Sequence, residues 1–587
     1  MGCPGSHVSG HTACLAHLAT SDRDTYLASL VPGADINHRG TSFTAPLLQA
    51  LLDALRDPAT GRPHLGDAAF ESATFEGDVS FESATFRDTA DFRLATFEGR
   101  AMFESATFEG GASFTSATFE GRTVFESATF EGGTLFQSAT FRDTADFRLT
   151  TFEGGVTFGW ATFNSNTLFK LANFNHNAVF VSTTFKGRAV FESATFKRDA
   201  LFRLTTFEND AIFQSASFER AVSVGPFVCA RLVMLSGAVF GGPVTLSFAA
   251  RSLQCRRTRW SSTAELRLRY ATVDFAHAVF EYPLTIAAEQ EPFVLADGQV
   301  MDEASLARLP DGVVRMMSLR GVDAAHLVLA DVDLSSCLLT GTVHLDQIRL
   351  EGTCSFDTVP SGTHRRGWRP VWFTRRRTLA EEHHWRARQP ASVPGWNAAM
   401  PDIGHVGPAQ LAPVYRALRK AFEDSKNEPG AADFYYGEME MRRRDRNGTT
   451  RAERGLLHGY WMLSGYGLRA SRALGWLAAA MLVTIVLLMG LGLPKDTPKQ
   501  EATGTVPPGG GKVTFEIDKT DPQNPTSDRF TGERFEKALN VTLNSVVFRS
   551  SSQDLTTIGT YFEMGSRLTE PVLLGLAVLA IRNRVKR

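Results

Sequence analysis

The chain has little of several features that would narrow its function at once. Its six cysteines are few and widely scattered, which favours reduced thiols over a disulfide framework. Its 61 basic and 63 acidic residues nearly cancel, so net charge gives no argument for nucleic acid or a membrane surface as a partner. No phosphate-binding loop, dinucleotide fingerprint or nucleophile elbow is found, and we therefore expect a protein that is not an enzyme. No basic segment followed by an apolar run begins the chain, so no cleaved secretion signal is expected.

Phenylalanine is the residue in excess, with 44 Phe against nine Tyr. Twenty-eight of them, from Phe70 to Phe218, alternate at spacings of five and six residues. A fixed 11-residue period over about 150 residues indicates a solenoid. On an α-helix these spacings would place successive Phe about 140° and 240° apart, without a common stripe. The intervening Ser, Thr and Gly are also poor helix formers. The repeat therefore predicts β-structure, with a core that begins with Phe70, Phe75, Phe81, Phe86, Phe92 and Phe97.

Each repeat unit alternates inward and outward residues, as in Ala73-Thr74-Phe75-Glu76. This pattern resembles the pentapeptide-repeat family, whose unit is a small residue, a polar residue, Leu or Phe, and two polar residues. The resemblance implies a mainly β fold, a right-handed quadrilateral β-helix with four units per coil. Every second unit here has a sixth residue, so a coil should take about 22 residues and about seven coils should form a rod on the order of 34 Å long.

The remaining sequence divides around the repeat. Leucines at helical spacing between Leu47 and Leu55, ended by Asp57-Pro58, predict a helical cap at the N-terminus. The expected domains are a cap over 1–68, a regular β-helix over 69–219, an irregular continuation over 220–356, an Arg/Trp/Pro-rich linker over 357–400, a helical hairpin with a pre-membrane helix over 401–470, and a transmembrane hairpin over 471–587.

A helical hairpin is expected before the membrane segment. Apolar residues between Val414 and Phe422 lie on one helical face, and Pro429-Gly430 is interpreted as the turn before a second helix that ends at Arg444. This segment resembles a helical hairpin that follows pentapeptide repeats in bacterial membrane proteins.

Two apolar segments predict a membrane protein. Residues 473–493 are uncharged and long enough to span a bilayer, and a second apolar segment covers 571–581. Basic residues precede the first segment and end the chain, whereas the loop 495–537 holds seven basic and eight acidic residues. The positive-inside rule therefore predicts a multi-pass inner-membrane protein with both termini and the solenoid in the cytoplasm.

The C-terminal segment resembles the two-helix pore module of potassium-type channels, in which a re-entrant helix precedes a Thr-rich filter. The sequence departs from that module because Thr560 and Tyr561 follow where a second Gly-Asp is expected. An anchor with interfacial charges is the alternative to a pore. The resemblance implies pore-lining roles for Thr556, Thr557, Ile558, Gly559 and Glu563.

Zinc is the one cofactor that the sequence suggests. Cys3, His7, Cys14 and His17 carry soft and borderline ligands suited to this metal. The alternative is a helical cap with ordinary surface histidines. The other dense group of titratable residues, Glu381 to His384, is interpreted as a solvated charge run.

The solenoid surface carries a second functional hypothesis. Between Phe70 and Glu219 it has 20 acidic and 12 basic residues. Some pentapeptide-repeat proteins mimic DNA and inhibit type II topoisomerases, so topoisomerase inhibition is the alternative function. Basic residues in the later coils, such as Lys186 and Arg188, weaken that alternative, and no nucleic acid is expected as a partner.

The sequence as a whole predicts a membrane-anchored protein whose cytoplasmic solenoid is a binding or sensing scaffold. Its expected partners are the membrane and an unidentified protein on the solenoid surface, and a homo-oligomer is compatible with both. The scaffold would be coupled to the channel-like C-terminal segment.

Overall fold

The chain forms two compact units, Met1–Val406 and Gly407–Arg587. The computed structural model describes residues 5–220, 223–295, 298–309, 311–366, 369–390, 392–397, 404, 406–495, 500–504, 508–512, 516–519, 522–523, 527–547, 549 and 553–585.

The first unit is a parallel β-solenoid of about 13 turns. In its regular part each strand residue pairs with the residue 22 positions further along, as Ala68 does with Ala90. The predicted coil length is therefore confirmed. Strands of successive coils stack into four faces, numbered here in chain order from Ala68.

The strands have these bounds in the structure. Face 1 contains Ile36–Asn37, Ala68–Ala69, Ala90–Asp91, Ala112–Ser113, Thr134–Leu135, Val156–Thr157, Ala178–Val179 and Ala200–Leu201. Face 2 contains Ser42–Thr44, Thr74–Glu76, Thr96–Phe97, Thr118–Phe119, Thr140–Phe141, Thr162–Phe163, Thr184–Phe185 and Thr206–Phe207. Face 3 contains Val79–Ser80, Ala101–Met102, Thr123–Val124, Ala145–Asp146, Thr167–Leu168, Ala189–Val190 and Ala211–Ile212. Face 4 contains His64–Leu65, Thr85–Phe86, Thr107–Phe108, Thr129–Phe130, Thr151–Phe152, Asn173–Phe174, Thr195–Phe196, Ser217–Phe218, Val239–Phe240, Arg259–Trp260 and Val279–Phe280.

Stacked phenylalanine rings fill the interior of the regular coils. Phe75 stacks on Phe97 of the next coil with ring centroids 4.6 Å apart, and Phe97 stacks on Phe119 at 4.7 Å. Rings from different faces meet edge to face, as Phe81 and Phe92 do at 5.6 Å. Both arrangements are favourable for aromatic pairs, because the ring edge is positive and the ring face negative. The six core phenylalanines named from the sequence are all buried, as predicted.

Corners explain the alternation of spacings. The five-residue units turn through a residue in the left-handed conformation, such as Ser72 at φ 57° and Ser83 at φ 56°. The six-residue units turn through a longer bend that has the extra residue. Serine is the usual residue at the left-handed corner, but five corners have a large apolar residue instead: Leu94, Leu149, Trp160, Leu171 and Leu204.

The solenoid begins earlier than the sequence predicted. The N-terminal cap has helices α1 (Thr20–Ser29) and α2 (Ala45–Ala54), and α2 confirms the helix expected from the leucines. However, Ile36–Asn37 already pairs with Ala68–Ala69 on face 1. Residues 36–65 therefore belong partly to the first coil. The strands of this segment were not predicted, because they are short and lie outside the phenylalanine repeat.

The continuation after residue 220 changes its coil length. Val239 pairs with Arg259, and Arg259 pairs with Val279, so the coil shortens to 20 residues, or four five-residue units. An insertion between strands Leu284–Ala288 and Leu327–Ala330 then interrupts the coil, and these two strands still pair. The strands of this region are Ser223–Met234, Val244–Gln254, Ala264–Arg269, Thr272–Asp274, Leu284–Ala288, Arg315–Ser318, Leu327–Ala330 and Arg349–Glu351.

The segment expected to be a linker has secondary structure of its own. Asp357–Thr358 pairs with Arg377–Thr378, and Thr363–Arg366 pairs with Arg369–Trp372. Helix α3 (Ala380–Ala387) follows.

The second unit is helical. Its helices are α4 (Pro408–Asp424), α5 (Glu428–Arg444), α6 (Arg451–Ser464), α7 (Ala470–Leu487) with a π-helical end (Leu488–Gly492), α8 (Gly532–Val546) and α9 (Thr557–Val585). A two-stranded hairpin, Gln500–Thr503 with Glu516–Lys519, lies in the loop between α7 and α8. The hairpin of α4 and α5 was predicted, but its turn was misplaced. Pro429 lies in the first turn of α5, where a missing backbone N–H costs nothing, so α5 begins at Glu428.

Candidate functional site

Helices α7 and α9 have the dimensions of membrane spans. Two segments, Ala470–Gly492 and Thr557–Arg582, are long and apolar enough to cross a bilayer, with mean hydropathies of 2.4 and 1.4. Only 28% and 33% of their apolar windows are buried within the protein. Large apolar side chains therefore point outward, including Leu482 and Val486 on α7 and Leu568, 71% exposed, on α9.

Helix α8 packs against both of these helices. Its Ala538 and Val541 are buried against Leu488 and Met489 at the end of the first apolar segment. Arg534 of α8 donates hydrogen bonds to the backbone oxygens of Met489 (2.9 Å), Leu493 (2.8 Å) and Pro494 (2.9 Å). These carbonyls end a helix and lack partners within it, so Arg534 stabilises the end of the first apolar segment.

The residues predicted to line a pore filter have another role in the structure. Thr556 immediately precedes α9, and its Oγ1 accepts a hydrogen bond from the Gly559 amide (3.1 Å) and donates one to the Leu491 oxygen (2.8 Å). Thr557, Ile558 and Gly559 form the first turn of α9. A carbonyl filter needs extended backbone, whereas helical carbonyls point along the helix axis. The expected filter is therefore not supported, because this segment favours a helix start.

Close contact of two glycines fixes the crossing of the two apolar segments. A Cβ added to Gly559 would lie 2.3 Å from the Gly492 oxygen. Only glycine allows the backbones to approach this closely. The Gly559 expected in a filter is therefore a packing residue.

Three charged residues of α9 have a partner within the helical unit. Glu563 is nearly buried and forms an ion pair with Arg567 at 3.0 Å. Glu570 is fully buried and accepts a hydrogen bond from Thr484 Oγ1 of α7 at 3.0 Å. Pairing lowers the cost of placing such groups within a span. Glu563 was expected to line a pore, and the structure instead pairs it with its own helix.

The N-terminal Cys/His group is only partly assembled. Cys14 Sγ lies 3.2 Å from His17 Nδ1, and His7 is exposed. Cys3 lies outside the described residues. Within the described part of the chain, no group of three or more His, Cys, Asp or Glu side chains is arranged to hold a metal ion.

Ion pairs between neighbouring coils neutralise part of the solenoid surface. Arg148 binds Glu126 at 2.7 Å, and Lys170 binds Glu192 at 3.0 Å, each across one 22-residue coil. Asp146 is buried between Arg122 and Arg148. Burial raises the pKa of Asp146, but hydrogen bonds from Arg148 and Arg122 outweigh it and hold the pKa below its ordinary value. These ion pairs interrupt the acidic surface at several coils.

The group from Glu381 to His384 is buried, so its interpretation as a solvated charge run is wrong. Glu381 Oε1 accepts hydrogen bonds from the backbone amides of Leu339 (2.6 Å) and Thr340 (2.8 Å) at the end of the solenoid. Burial raises the pKa of Glu381 above its ordinary value. Glu382 binds Arg376 and Arg386 at 2.5 and 2.6 Å. This group closes the C-terminal end of the coils, where backbone groups would otherwise lack partners.

Sequence comparison agrees with the geometry of the coils. The family model described as pentapeptide repeats (nine copies) matches residues 64–107 and 103–147. The coils are pentapeptide repeats. No curated protein and no solved structure matches the chain.

One feature of the pentapeptide-repeat solenoid was not recognised from the sequence. Four consecutive coils carry no charged residue on face 1 or on the corners beside it, in segments 110–118, 132–140, 154–162 and 176–184. Two large apolar side chains stand on this surface, Leu135 and Trp160, the latter 59% exposed. In the sequence this surface is marked by segments without Asp, Glu, Lys or Arg that recur every 22 residues. The recurrence is seen only when the sequence is aligned coil by coil.

Proposed function

We propose that this protein is a non-enzymatic scaffold, anchored in the membrane by α7 and α9, whose pentapeptide-repeat solenoid binds protein on its outer faces. The exposed apolar surface of α7 and α9 is the observation that carries this proposal. In water, an apolar surface of this extent is unfavourable and marks an interaction site. The two helices are long enough for a bilayer and lie far from the N-terminus.

The solenoid supports a binding role in place of a catalytic one. Its regular interior is filled by stacked phenylalanines, so a ligand can bind only to the outer surface of the coils. Its buried titratable group around Glu381 binds backbone amides and arginines that hold the end of the coils together. We place the solenoid in the cytoplasm, since the basic residues flank the two spans and not the loop between them.

We propose neither a conducting pore nor DNA mimicry as the main function. Thr557 to Gly559 start a helix, which disfavours a carbonyl filter. Carboxylates such as Glu126 and Glu192 form ion pairs with adjacent coils, which disfavours a DNA-like array of free negative charges.

Alkaline extraction of membranes from cells that express the full chain tests the anchor. The unsubstituted protein should stay in the pellet, because spanning helices resist extraction. A Leu482→Asp, Val486→Asp variant places two charges on the exposed face of α7, each costing about 3 kcal/mol in a bilayer centre, and should become extractable. The control is Leu94→Asp, which changes an equally exposed leucine on the solenoid and should stay in the pellet. Release of the unsubstituted protein at high pH would contradict the proposal.

A further inference from the structure

The uncharged surface of face 1 extends over four coils. The coils are called rungs 1 to 7 after their face 1 strands, so rungs 3 to 6 begin at Ala112, Thr134, Val156 and Ala178. Rungs 3 to 6 have no charged residue there, whereas rung 2 has Asp88, Asp91 and Arg93, and rung 7 has Arg198, Asp199 and Arg203. The uncharged surface is thus bounded at both ends by charged rungs.

Glycines flatten one side of this surface beyond what the fold requires. A Cβ added to Gly133 would meet no atom within 4 Å, and one added to Gly155 would meet only atoms at 3.7 Å or more. Neither glycine has a positive φ. At the equivalent position rung 6 has Asn177 and rung 7 has Asp199, so the coil accepts side chains there. A single copy of the chain therefore gives no reason for glycine at 133 or 155.

Trp160 is unusual on the other side of the same surface. Trp160 occupies a left-handed corner, with φ 56°. Serine is the usual residue at these corners, and a bulky side chain is unfavourable in this backbone conformation. More than half of its side chain is exposed. The residue before Trp160 is Gly159, which adds no side chain to this corner.

We propose that face 1 of rungs 3 to 6 binds a second copy of this chain, with the two solenoids parallel. The two copies are related by a two-fold axis along the central column of the face, which consists of Ser113, Leu135, Thr157 and Val179. The parallel orientation rests on the proposed function, because both copies would be anchored in one membrane by the same helices. A two-fold axis brings the same surface together from both copies.

The two-fold arrangement is complementary in size. Leu135 and Val179 of the central column face their own equivalents in the second copy, which makes an apolar seam. Within each rung, the residue two positions before the column residue faces, in the second copy, the residue two positions after it. In rung 4, where Leu135 is the column residue, Gly133 therefore faces Gln137 of the second copy. At the corners, Trp160 faces the side-chain-free turn at Gly154. Large side chains thus meet glycine on both sides of the seam.

Charges at the ends of the surface also agree with this arrangement. In rung 7, the two-fold axis places Asp199 opposite Arg203 of the second copy, and this pair occurs twice. In rung 2, Asp91 faces its own equivalent, but it is nearly buried and bound by Arg93 at 2.8 Å. Opposite charges at the rim of an interface set its orientation.

The size of the surface indicates a weak dimer that depends on membrane confinement. The surface is four rungs high, at about 4.8 Å per rung, and about five residues wide, at about 3.3 Å per residue. Its area is therefore on the order of 300 Å² in each copy. A standard stable interface takes about 800 Å² per partner. Anchoring both copies in one membrane raises their effective concentration and favours such a dimer.

Cysteine cross-linking of the full chain tests the proposal. Ser113→Cys and Val179→Cys lie in the central column at rungs 3 and 6, and a bis-maleimide that spans about 10 Å matches the spacing of packed sheets. Each variant should cross-link to itself above the level of the unsubstituted chain. The control Val190→Cys, equally half-buried but on face 3, should stay at that level. Cross-linking of Ser113→Cys and Val179→Cys no stronger than the control overturns the proposal.

A mixed sample of differently tagged Ser113→Cys and Val179→Cys chains tests the orientation. The parallel dimer predicts mainly products of like variants. A predominance of the mixed product would indicate an antiparallel dimer and overturn the parallel one. The reaction is run on whichever fraction, membrane or soluble, contains the chain, so failure of the anchor and failure of the pairing are read separately.

A charge in the seam supplies a second test. Gly133→Glu, made in the Ser113→Cys chain, has room in the single copy but would bury an unpaired carboxylate in the dimer. It should reduce the cross-linked fraction about tenfold or more, since central interface positions dominate affinity. Leu149→Glu, at an exposed left-handed corner on the far side of the solenoid, should leave the fraction unchanged. An equal effect of the two substitutions, or no effect of Gly133→Glu, overturns the proposal.

Discussion

Truncation of one phenylalanine in the middle of the solenoid, Phe125→Ala, tests whether stacked rings hold the coils together. Phe125 is fully buried between Phe103 and Phe147, with ring centroids 4.8 and 5.0 Å away. Its edge-to-face neighbours, Phe114 and Phe136, lie at 5.5 Å. Removal of a buried Phe side chain costs about 3–5 kcal/mol in total, and four ring neighbours favour the upper part of that range. We therefore expect a loss of about 4–5 kcal/mol in local stability.

Hydrogen exchange of the full-length protein measures this loss. Repeats contact only their neighbours, so the effect should be confined to coils near residue 125. A loss of about 4 kcal/mol corresponds to a roughly 1000-fold faster exchange of the protected amides. Leu149→Ala, on an exposed corner, is the control and should change exchange less than about threefold. If Phe125→Ala accelerates exchange less than about tenfold, the interior is not the tightly packed column described above.

Three further substitutions test other parts of the account. Burial lowers the pKa of His38 from 6.5 to about 4. The free energy of unfolding should therefore be about 3 kcal/mol larger above pH 6.5 than near pH 4, because below pH 6.5 only the unfolded chain takes up the proton. Hydrogen exchange of the first coil, corrected for intrinsic rates, should show this loss, and His38→Phe should abolish it. Glu381→Ala leaves buried amides unpaired and should cost about 2–3 kcal/mol, measured by exchange at Leu339. Gly559→Ala places a Cβ 2.3 Å from the Gly492 oxygen and should cost about 1–3 kcal/mol in detergent unfolding, whereas Gly565→Ala, with open space, should not.

The repeat coils were predictable because their signal is periodic and redundant. Every 11 residues the sequence again specifies an inward Phe and a small inward residue, so coil length and core residues followed from counting. After Val239 the coil length changes to 20 residues, and strands such as Ile36–Asn37 lie outside the phenylalanine repeat. In both places the pattern does not recur, so a strand has to be predicted from a few residues alone. The start of the solenoid and its continuation were therefore less well predicted.

The buried group around Glu381 escaped prediction for a different reason. Glu and His in an Arg-rich segment ordinarily indicate a solvated surface. Here they lie on α3 and bind amides of Leu339 and Thr340, which are more than 40 residues away in the chain. Such long-range partners are invisible to local patterns. The same limit applies to Thr556, whose partner Leu491 lies at the end of the other apolar helix.

The uncharged surface of face 1 shows the opposite limit. Its residues are ordinary one by one, and only the 22-residue register places Leu135, Thr157 and Val179 in one column. Once the coil length is known, the surface can be read from the sequence alone.

Compartment-specific labelling tests the central claim, a cytoplasmic solenoid anchored by two spanning helices, most directly. In intact cells, a membrane-impermeant maleimide should label Gly510→Cys in the loop between the spans. It should label Thr162→Cys on the solenoid only after the membrane is permeabilised. The unsubstituted chain gives the background of its own cysteines. Labelling of Thr162→Cys in intact cells, or protection of Gly510→Cys there, would contradict the account.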